Sequence, residues 1–328
     1  MNHEFREEII QVNGEFPLEG TLTIPTGPEK KHPAVLIIPG TGKSDRDGNL
    51  RKFKMNLYKD LADSISKLGF VTLRYDKRGT HKSKGKYVET GFWDLVDDAQ
   101  QAVHYLKTHP EVDSEKVIIL GHSEGCIIAP AVSTRLPVAG LVLIAGVGEP
   151  FKTAIPRQFQ QVLKEINDMK GSKGKLLRFM IKLQNPEKRN EKFIKKVLSS
   201  TTPSIKLFGL IPVNAKWYRE HFAYDVMQEL SNVKCPTIAI TGSKDIQVIP
   251  EHAQKLAEAV QGQAEWHIVP NMNHVLRKYP KNHTMLNLMK EYKSIQKQLI
   301  DADLISIVSH WLSEHYLYEE TIQEENVR

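Results

Sequence analysis

Three side chains in this sequence could together perform nucleophilic chemistry: Ser123, Asp245 and His274. A serine hydroxyl is a weak nucleophile until a correctly placed base accepts its proton, and a carboxylate can orient that base. The residues follow one another as serine, aspartate and histidine, which is one of the chain orders in which such triads occur. We therefore predict that Ser123 is the nucleophile, His274 the base and Asp245 the acid.

The sequence around Ser123 supports this role. Its motif, Gly-His-Ser-Glu-Gly at 121–125, follows the apolar run 117–120, which predicts a short buried strand, and precedes a segment with helical spacing. In a strand-to-helix turn of this form the serine backbone is strained, and the glycines avoid Cβ collisions with the adjacent strand and helix. The alternative is a plain turn, but the flanking strand and helix favour the nucleophile.

Both predicted partners of the serine follow strands. Asp245 comes just after the apolar run 237–241, and His274 comes just after 265–269. The carboxyl ends of parallel strands meet at one edge of a sheet, where α/β proteins place their functional groups. His267 lies within a predicted strand, so we assign the base to His274 instead.

Two backbone N–H groups are candidates for stabilising the negative charge on an attacked carbonyl oxygen. Thr41 lies in the turn Pro-Gly-Thr-Gly at 39–42, after the predicted strand 34–38, and glycines let N–H groups face a ligand there. The second candidate is the N–H of Glu124, directly after the nucleophile. The alternatives are an ordinary loop at 39–42 and, for the Glu124 side chain, a favourable carboxylate in the first turn of a helix.

Strand-like and helix-like segments alternate along most of the chain. The predicted strands are 8–12, 20–24, 34–38, 70–75, 117–120, 141–146, 237–241 and 265–269, and the main predicted helices are 56–68, 90–108 and 251–260. The first two strands are separated by a turn-prone Asn-Gly and predict an antiparallel hairpin. The alternation is typical of an α/β fold with a mostly parallel sheet and helices on both faces.

The alternation stops between residues 150 and 230, where apolar stripes at helical spacing predict an inserted helical cap. The cap would divide one catalytic core into two parts, 1–149 and 231–328. Both ends of the insertion leave the sheet on the side where Ser123 emerges, so the cap should cover the site. Four cap residues are candidates to line an acyl pocket: Phe179, Met180, Phe208 and Trp217.

Composition narrows the class of protein. Hydrophobic residues form 40% and charged residues 26% of the 328 residues, as in ordinary globular domains, and no apolar run approaches the ~18 residues of a membrane span. The N-terminus has no apolar secretory segment, so we expect a cytoplasmic protein without stable membrane insertion. Cys126 and Cys235 match no metal or redox spacing, so we expect them to be structural and expect no cofactor.

The net charge of +6 is concentrated in one region. Between residues 151 and 200, 13 basic residues stand against 4 acidic ones, a local charge of +9, and the remainder sums to −3. Such a region could attract nucleic acid, an anionic substrate or a membrane surface. The basic residues alternate with apolar ones at helical spacing, which favours a solvated helical face, and we expect no nucleic-acid partner.

The sequence resembles the α/β-hydrolase family, in particular its bacterial carboxylesterase and serine-aminopeptidase-like branch. The matching segments are Pro-Gly-Thr-Gly at 39–42, Asp-Arg-Asp at 45–47, Arg-Tyr-Asp-Lys-Arg-Gly at 74–79, Gly-His-Ser-Glu-Gly at 121–125, Gly-Ser-Lys-Asp at 242–245 with Gln-Val at 247–248, and Asn-His at 273–274. The resemblance implies the α/β-hydrolase fold and its triad. His81 departs from it, because similar chains usually carry a second glycine there, and 276–300 matches no recognised pattern.

The residues and the resemblance together predict a serine hydrolase that cleaves carboxylic esters through an acyl-enzyme intermediate. Its expected partner is a small-molecule acyl ester, and the oligomeric state stays open. An aminopeptidase or an acyl thioesterase would use the same triad, because pocket shape selects the leaving group. A non-catalytic ligand-binding member of the fold is a further alternative, but such a protein has no need to retain all three residues in order.

Overall fold

The computed structural model describes residues 3–51 and 53–317. Its strands are β1 (Glu4–Val12), β2 (Leu18–Thr26), β3 (His32–Ile38), β4 (Val71–Tyr75), β5 (Val112–His122), β6 (Gly140–Ile144), β7 (Ser204–Leu207), β8 (Ile211–Asn214), β9 (Thr237–Gly242) and β10 (Ala264–Val269). Its α-helices are α1 (Leu57–Ser66), α2 (Phe92–Thr108), α3 (Gly125–Arg135), α4 (Phe151–Asp168), α5 (Gly171–Gln184), α6 (Pro186–Leu198), α7 (Ala215–Ala223), α8 (Val226–Leu230), α9 (His252–Ala259), α10 (Leu288–Ser294) and α11 (Ala302–Tyr316).

Eight of these strands form one sheet in the order β1-β2-β4-β3-β5-β6-β9-β10. The hairpin of β1 and β2 is antiparallel and joins the sheet through an antiparallel contact between β2 and β4. Every other neighbouring pair is parallel. The predicted N-terminal hairpin and mostly parallel sheet are therefore confirmed.

Strands buried on both faces explain the continuous apolar runs of the sequence. In β5, Val117 and Ile119 pack on one face of the sheet, whereas Ile118 and Leu120 pack on the other, because successive side chains alternate. Residues of α2, α3 and α9 cover the first face, and residues of α1 and α11 cover the second. Helices therefore lie on both faces, as predicted.

The segment between β6 and β9 contains five helices, α4 to α8. It also contains an antiparallel hairpin of β7 and β8, which the all-helical interpretation of residues 150–230 did not include. Helix α8 packs against α3 and α9 through Val226 and Leu230, which belong to the main core. Within residues 3–51 and 53–317, no helix combines the length and the apolar character needed to cross a membrane.

Candidate active site

Ser123 occupies the sharp turn between β5 and α3. Its backbone φ is 54°, in the left-handed region that residues other than glycine rarely adopt, and its N–H donates to the carbonyl of Ile144 at 2.9 Å. A Cβ on Gly121 would lie 2.4 Å from the carbonyl carbon of Gly125. A Cβ on Gly125 would lie 2.3 Å from the carbonyl oxygen of Ile38. Both glycines of the motif are therefore required by close backbone contacts, and the turn leaves the serine at the carboxyl end of β5.

His274 lies between Ser123 and Asp245. Its Nε2 is 3.1 Å from Ser123 Oγ, and its Nδ1 is 2.7 Å from Asp245 Oδ2. Because Nδ1 faces a carboxylate, it carries the proton and donates, which leaves Nε2 to accept the serine proton. The fold thus brings together the three predicted residues, although 151 and 29 positions separate the serine and the aspartate from the histidine.

The loop after β9 orients the Asp245 carboxylate. Its Oδ1 accepts hydrogen bonds from the backbone N–H groups of Gln247 and Val248, each at 2.9 Å. These bonds compensate for burial of the charged group, since a buried carboxylate needs donors in place of water. The second oxygen, Oδ2, is thereby directed at His274.

His122 is a buried link between the loop after β3 and the loop after β10. Its Nδ1 is 3.1 Å from Tyr58 Oη, and its Nε2 is 2.9 Å from the carbonyl oxygen of His274. Tyr58 Oη accepts from the N–H of Gly40 at 2.8 Å, so it donates its own proton to His122 Nδ1. Burial, and next the neighbouring His274, lowers the pKa of His122 to about 3, so the ring is neutral and donates through Nε2.

The peptide group between Gly40 and Thr41 is held in one orientation. Lys77 Nζ donates to the Gly40 carbonyl oxygen at 2.6 Å. Because this peptide is trans, the N–H of Thr41 points in the direction opposite to that carbonyl. Gly40 also lies against the nucleophile, since a Cβ on it would be 3.1 Å from Ser123 Cβ. Neither the Thr41 N–H nor the Glu124 N–H donates to another residue that the structure describes, so both can serve a ligand.

The Glu124 side chain is buried and joins three parts of the chain. Its carboxylate accepts from Lys77 Nζ at 3.2 Å and from Trp217 Nε1 at 2.6 Å, and it lies 3.3 Å from His221 Nε2. Burial alone would raise the pKa of Glu124, but the Lys77 charge and the contacts with His221 and Trp217 outweigh it and lower the pKa to about 2. The interpretation as a first-turn carboxylate missed these partners, because Trp217 lies 93 positions further along the chain.

A cavity of about 440 Å³ opens above Ser123. Ser123, His274 and Thr41 are among the residues that line it. The rest of the wall is largely apolar and includes Leu50, Phe53, Met55, Val147, Phe151, Ala154, Ile155, Trp217, Val248 and Met289. The cavity therefore offers hydrogen-bond donors at the serine and apolar surface elsewhere.

The predicted cap residues divide between this cavity and the protein surface. Trp217, from α7, lines the cavity as predicted. The same prediction is wrong for Phe179, Met180 and Phe208, which are exposed and are not among the cavity-lining residues. Apolar side chains of α4, including Phe151 and Ile155, line the cavity instead of these three residues.

The segment 276–300, for which the sequence offered no pattern, contributes directly to the cavity. It contains α10, whose Met289 and Tyr292 form part of the wall. The carboxylate of Glu165, on α4, accepts from consecutive backbone N–H groups at 285–286, at 2.9 and 3.1 Å. The insertion and this segment are therefore joined by charge-assisted hydrogen bonds.

At position 81 the resemblance to the α/β-hydrolase family led us to expect a glycine, and this chain carries His81 instead. Its backbone φ is 42°, in the left-handed region that glycine adopts at little cost, which explains the usual residue. The imidazole Nε2 lies 3.0 Å from the carbonyl oxygen of Lys43. This contact links the turn after β4 to the loop after β3.

Neither cysteine is among the residues that line the cavity. Cys126 is buried beneath the nucleophile turn, where burial raises the pKa of its thiol, and Cys235 is partly buried. Both are free thiols. Within the described part of the chain, no group of three or more histidine, cysteine, aspartate or glutamate side chains is placed to hold a metal ion.

Sequence comparison assigns the chain to a family. The family model described as serine aminopeptidase, S33, matches residues 52–278. The chain belongs to this family. Esterase EstD of Thermotoga maritima is 25% identical to this S33 family member over 310 residues, which cover 94% of this chain and 68% of that protein.

Three of the solved structures with the same fold are similar to this chain at low sequence identity. Est1E from Butyrivibrio proteoclasticus, with ferulic acid bound, has a TM-score of 0.58, 14% identity, and coverage of 93% of this chain and 96% of its own. The Pyrococcus furiosus esterase Pf2001 has a TM-score of 0.54 at 16% identity, covering 96% and 94%, and the Anabaena variabilis dienelactone hydrolase has 0.55 at 17%, covering 96% and 99%. Together with the alpha/beta hydrolase GrgF from Penicillium, these structures confirm the predicted α/β-hydrolase fold. The family match and the esterase relative show that this S33 family member is a hydrolase.

Lys77 allows a test of how the Thr41 N–H is oriented. Because Lys77→Met alone would leave the Glu124 charge buried and unpaired, the informative variant is Lys77→Met with Glu124→Gln. We expect kcat to fall about 10-fold to 100-fold with KM within about twofold, since a misdirected oxyanion donor weakens transition-state binding only. Steady-state kinetics of the purified variant measure both constants.

Glu124→Gln alone is the matched control, because it retains the Lys77 contact with the Gly40 carbonyl. Its kcat should fall clearly less than that of the double variant. Equal losses in the two variants would contradict a role for Lys77 in orienting this peptide.

His122 gives the S33 family member a predictable acid sensitivity. Its pKa is about 3 in the folded protein against an ordinary value of 6.5, so below pH 6.5 the unfolded chain binds a proton that the folded protein excludes. The free energy of unfolding must then decrease as the pH falls through this window, by about 2 kcal/mol at about pH 5 from this group alone. Urea denaturation of the wild type and His122→Gln at about pH 7 and about pH 5 measures the difference. Equal pH dependence in the two proteins would show that His122 is charged when folded.

Proposed function

We propose that this chain is a serine hydrolase that cleaves carboxylic esters through an acyl-enzyme intermediate. The observation that carries the proposal is the pair of hydrogen bonds that join Asp245 to His274 and His274 to Ser123, beside a largely apolar cavity. The strained turn at Ser123 supports the same conclusion, since backbone strain is retained mainly where function requires it. A protein that only binds a ligand would need neither these hydrogen bonds nor the strained turn.

In the proposed first half-reaction, Ser123 Oγ attacks the ester carbonyl carbon while His274 Nε2 accepts the hydroxyl proton. The carbonyl oxygen becomes an oxyanion, which accepts hydrogen bonds from the N–H groups of Thr41 and Glu124. Collapse of this intermediate breaks the bond to the alcohol oxygen, and the imidazolium returns its proton to the departing alkoxide. An acyl group then remains on Ser123.

The second half-reaction repeats these steps with water. His274 removes a proton from the water as it attacks the acyl carbonyl, and the same two N–H groups stabilise the second oxyanion. Release of the carboxylic acid returns the proton to Ser123 Oγ. Asp245 orients the ring and stabilises the imidazolium, as its two backbone donors and its contact with Nδ1 allow.

The charges around the cavity favour an ester over a peptide with a free N-terminus. Among the described residues of the wall, Glu124 is the one acidic side chain, and Lys77, Trp217 and His221 surround its carboxylate. An aminopeptidase must bind an α-ammonium group away from water, which requires an unpaired carboxylate. A neutral acyl ester needs only the donors at the serine and the apolar wall.

We further propose that residues 150–230 act as a cap over the site. Phe151 and Ile155 of α4 and Trp217 of α7 supply apolar wall opposite the serine. Through the bond from Trp217 to Glu124, the cap is connected to the residue that supplies one oxyanion donor. The cap would therefore select the acyl group of the substrate.

Ser123→Ala should abolish hydrolysis without affecting folding. We expect kcat for p-nitrophenyl esters to fall at least about 10³-fold, because the hydroxyl supplies the nucleophile while the turn keeps its contacts. Thermal melting should be unchanged.

A panel of p-nitrophenyl esters, an acyl thioester and aminoacyl p-nitroanilides, assayed with the wild type, separates the reaction classes. Faster turnover of the anilides than of every ester would make the chain an aminopeptidase and refute the proposal.

Ile155→Ala should change the preferred acyl chain, because Ile155 lines the cavity. For the best wild-type ester, kcat/KM should fall about tenfold or more, and the preference should move to longer acyl groups, since each methylene in an apolar pocket contributes ~1–3 kcal/mol. Phe179→Ala is the matched control, because it removes a large apolar side chain from the same cap at a position outside the cavity. A shifted preference in the control, with none in Ile155→Ala, would place the acyl group elsewhere.

A further inference from the structure

Helix α5 presents its largest apolar side chains to solvent. Leu176, Phe179, Met180 and Leu183 are 59%, 60%, 43% and 71% exposed, and their spacing puts them on one face. We call these four residues the apolar stripe. Isolated apolar residues are common on protein surfaces, but a contiguous stripe over two helical turns marks an interaction surface.

The stripe is not explained by the packing of α5 within the protein. Leu177 and Ile181 of the opposite face are only partly buried, and none of the apolar side chains of the helix is fully buried. Arg178 connects the helix to α4, because its Nη1 donates to three carbonyl oxygens at the end of α4 and just beyond it. A helix of 14 residues is marginal in water by itself, so a partner on the exposed face would stabilise it.

The charge around the stripe identifies the kind of partner. Helix α5 carries Lys173, Lys175, Arg178 and Lys182 and no acidic residue, and α5 and α6 together carry nine basic against two acidic residues. The three lysines of α5 form no ion pair with any residue that the structure describes. An apolar face flanked by unpaired cations complements a surface that is apolar inside and anionic outside.

The hairpin of β7 and β8 adds a second exposed apolar group. Phe208, Leu210 and Ile211 at its turn are 76%, 84% and 57% exposed. Phe208 and Leu207 border a groove with Phe193 of α6, the helix that follows α5. Residues 171–214 of the insertion, from α5 to the β7–β8 hairpin, therefore combine exposed apolar residues with basic residues.

We propose that α5 docks on the surface of an anionic phospholipid bilayer. The apolar stripe would enter the boundary between head groups and acyl chains, and the lysines would contact the anionic head groups. This is peripheral binding, and it requires no membrane-spanning helix. This binding is independent of the proposed ester hydrolysis, because it involves a different surface and can be measured without any substrate.

A second copy of the chain fits this surface less well. A symmetric dimer through α5 would bring the three exposed lysines of one copy close to the three lysines of the other, and such like-charge contacts are unfavourable. Nucleic acid would pair with the cations but would leave the aliphatic residues of the stripe without a partner. The lipid surface satisfies both features of the helix.

Vesicle co-sedimentation of the full chain tests the proposal. The probes are vesicles of phosphatidylcholine alone and of phosphatidylcholine mixed with phosphatidylserine, each at low and high salt. We expect binding to the mixed vesicles that weakens with salt, because screening acts on the lysine contacts. The triple variants Leu176→Gln/Phe179→Gln/Leu183→Gln and Lys173→Gln/Lys175→Gln/Lys182→Gln should each lower the partition coefficient at least about tenfold.

The matched control is Ile9→Gln/Leu299→Gln, which removes two apolar side chains exposed elsewhere, at 66% and 82%. It should bind like the wild type, and thermal melting should show that all variants are folded. Absence of binding to the mixed vesicles, or equal binding by wild type and triple variants, would overturn the proposal. So would sedimentation equilibrium showing a dimer that the stripe variant dissociates, since the stripe would then bind a second copy.

Discussion

The buried carboxylate of Glu124 is the interaction on which the arrangement of the site depends. A buried charge is tolerated only when partners replace water, and removing one partner typically costs ~3–5 kcal/mol. Its partners here come from the turn after β4 and from α7, through Lys77, Trp217 and His221. The core and the insertion must therefore assemble around the residue that follows Ser123 and lines the cavity beside it.

Lys77 extends this constraint to the other oxyanion candidate. One ammonium group contacts both the Glu124 carboxylate and the Gly40 carbonyl, so the direction of the Thr41 N–H follows from the position of the nucleophile turn. Tyr58 and His122 hold the same loop from its other side and connect it to the backbone of His274. Donors oriented before the substrate binds need no reorganisation during the reaction, which is how such sites lower barriers.

The insertion uses its two sides differently. On the side formed by α4 and α7, apolar residues such as Ile155 and Trp217 line the cavity that contains Ser123. Helix α5 instead leaves the apolar stripe exposed among unpaired lysines. The basic residues that give residues 151–200 a charge of +9 therefore lie on the surface of the insertion, and none of them is among the residues that line the cavity.

The sequence by itself determined the features that depend on local crowding and strand order. The turn at Ser123 could be predicted because the close backbone contacts there leave room only for glycine at Gly121 and Gly125. The positions of Asp245 and His274 could be predicted because parallel strands end at the same edge of the sheet. Only the tertiary structure decided the partners of Glu124 and the lining of the cavity. Phe179 and Trp217 both belong to apolar helical stripes, and such a stripe does not specify whether its face meets the core, the cavity or solvent. That choice depends on how distant segments pack, as does the pairing of the four-residue strands β7 and β8, which are too short to produce a clear pattern in the sequence.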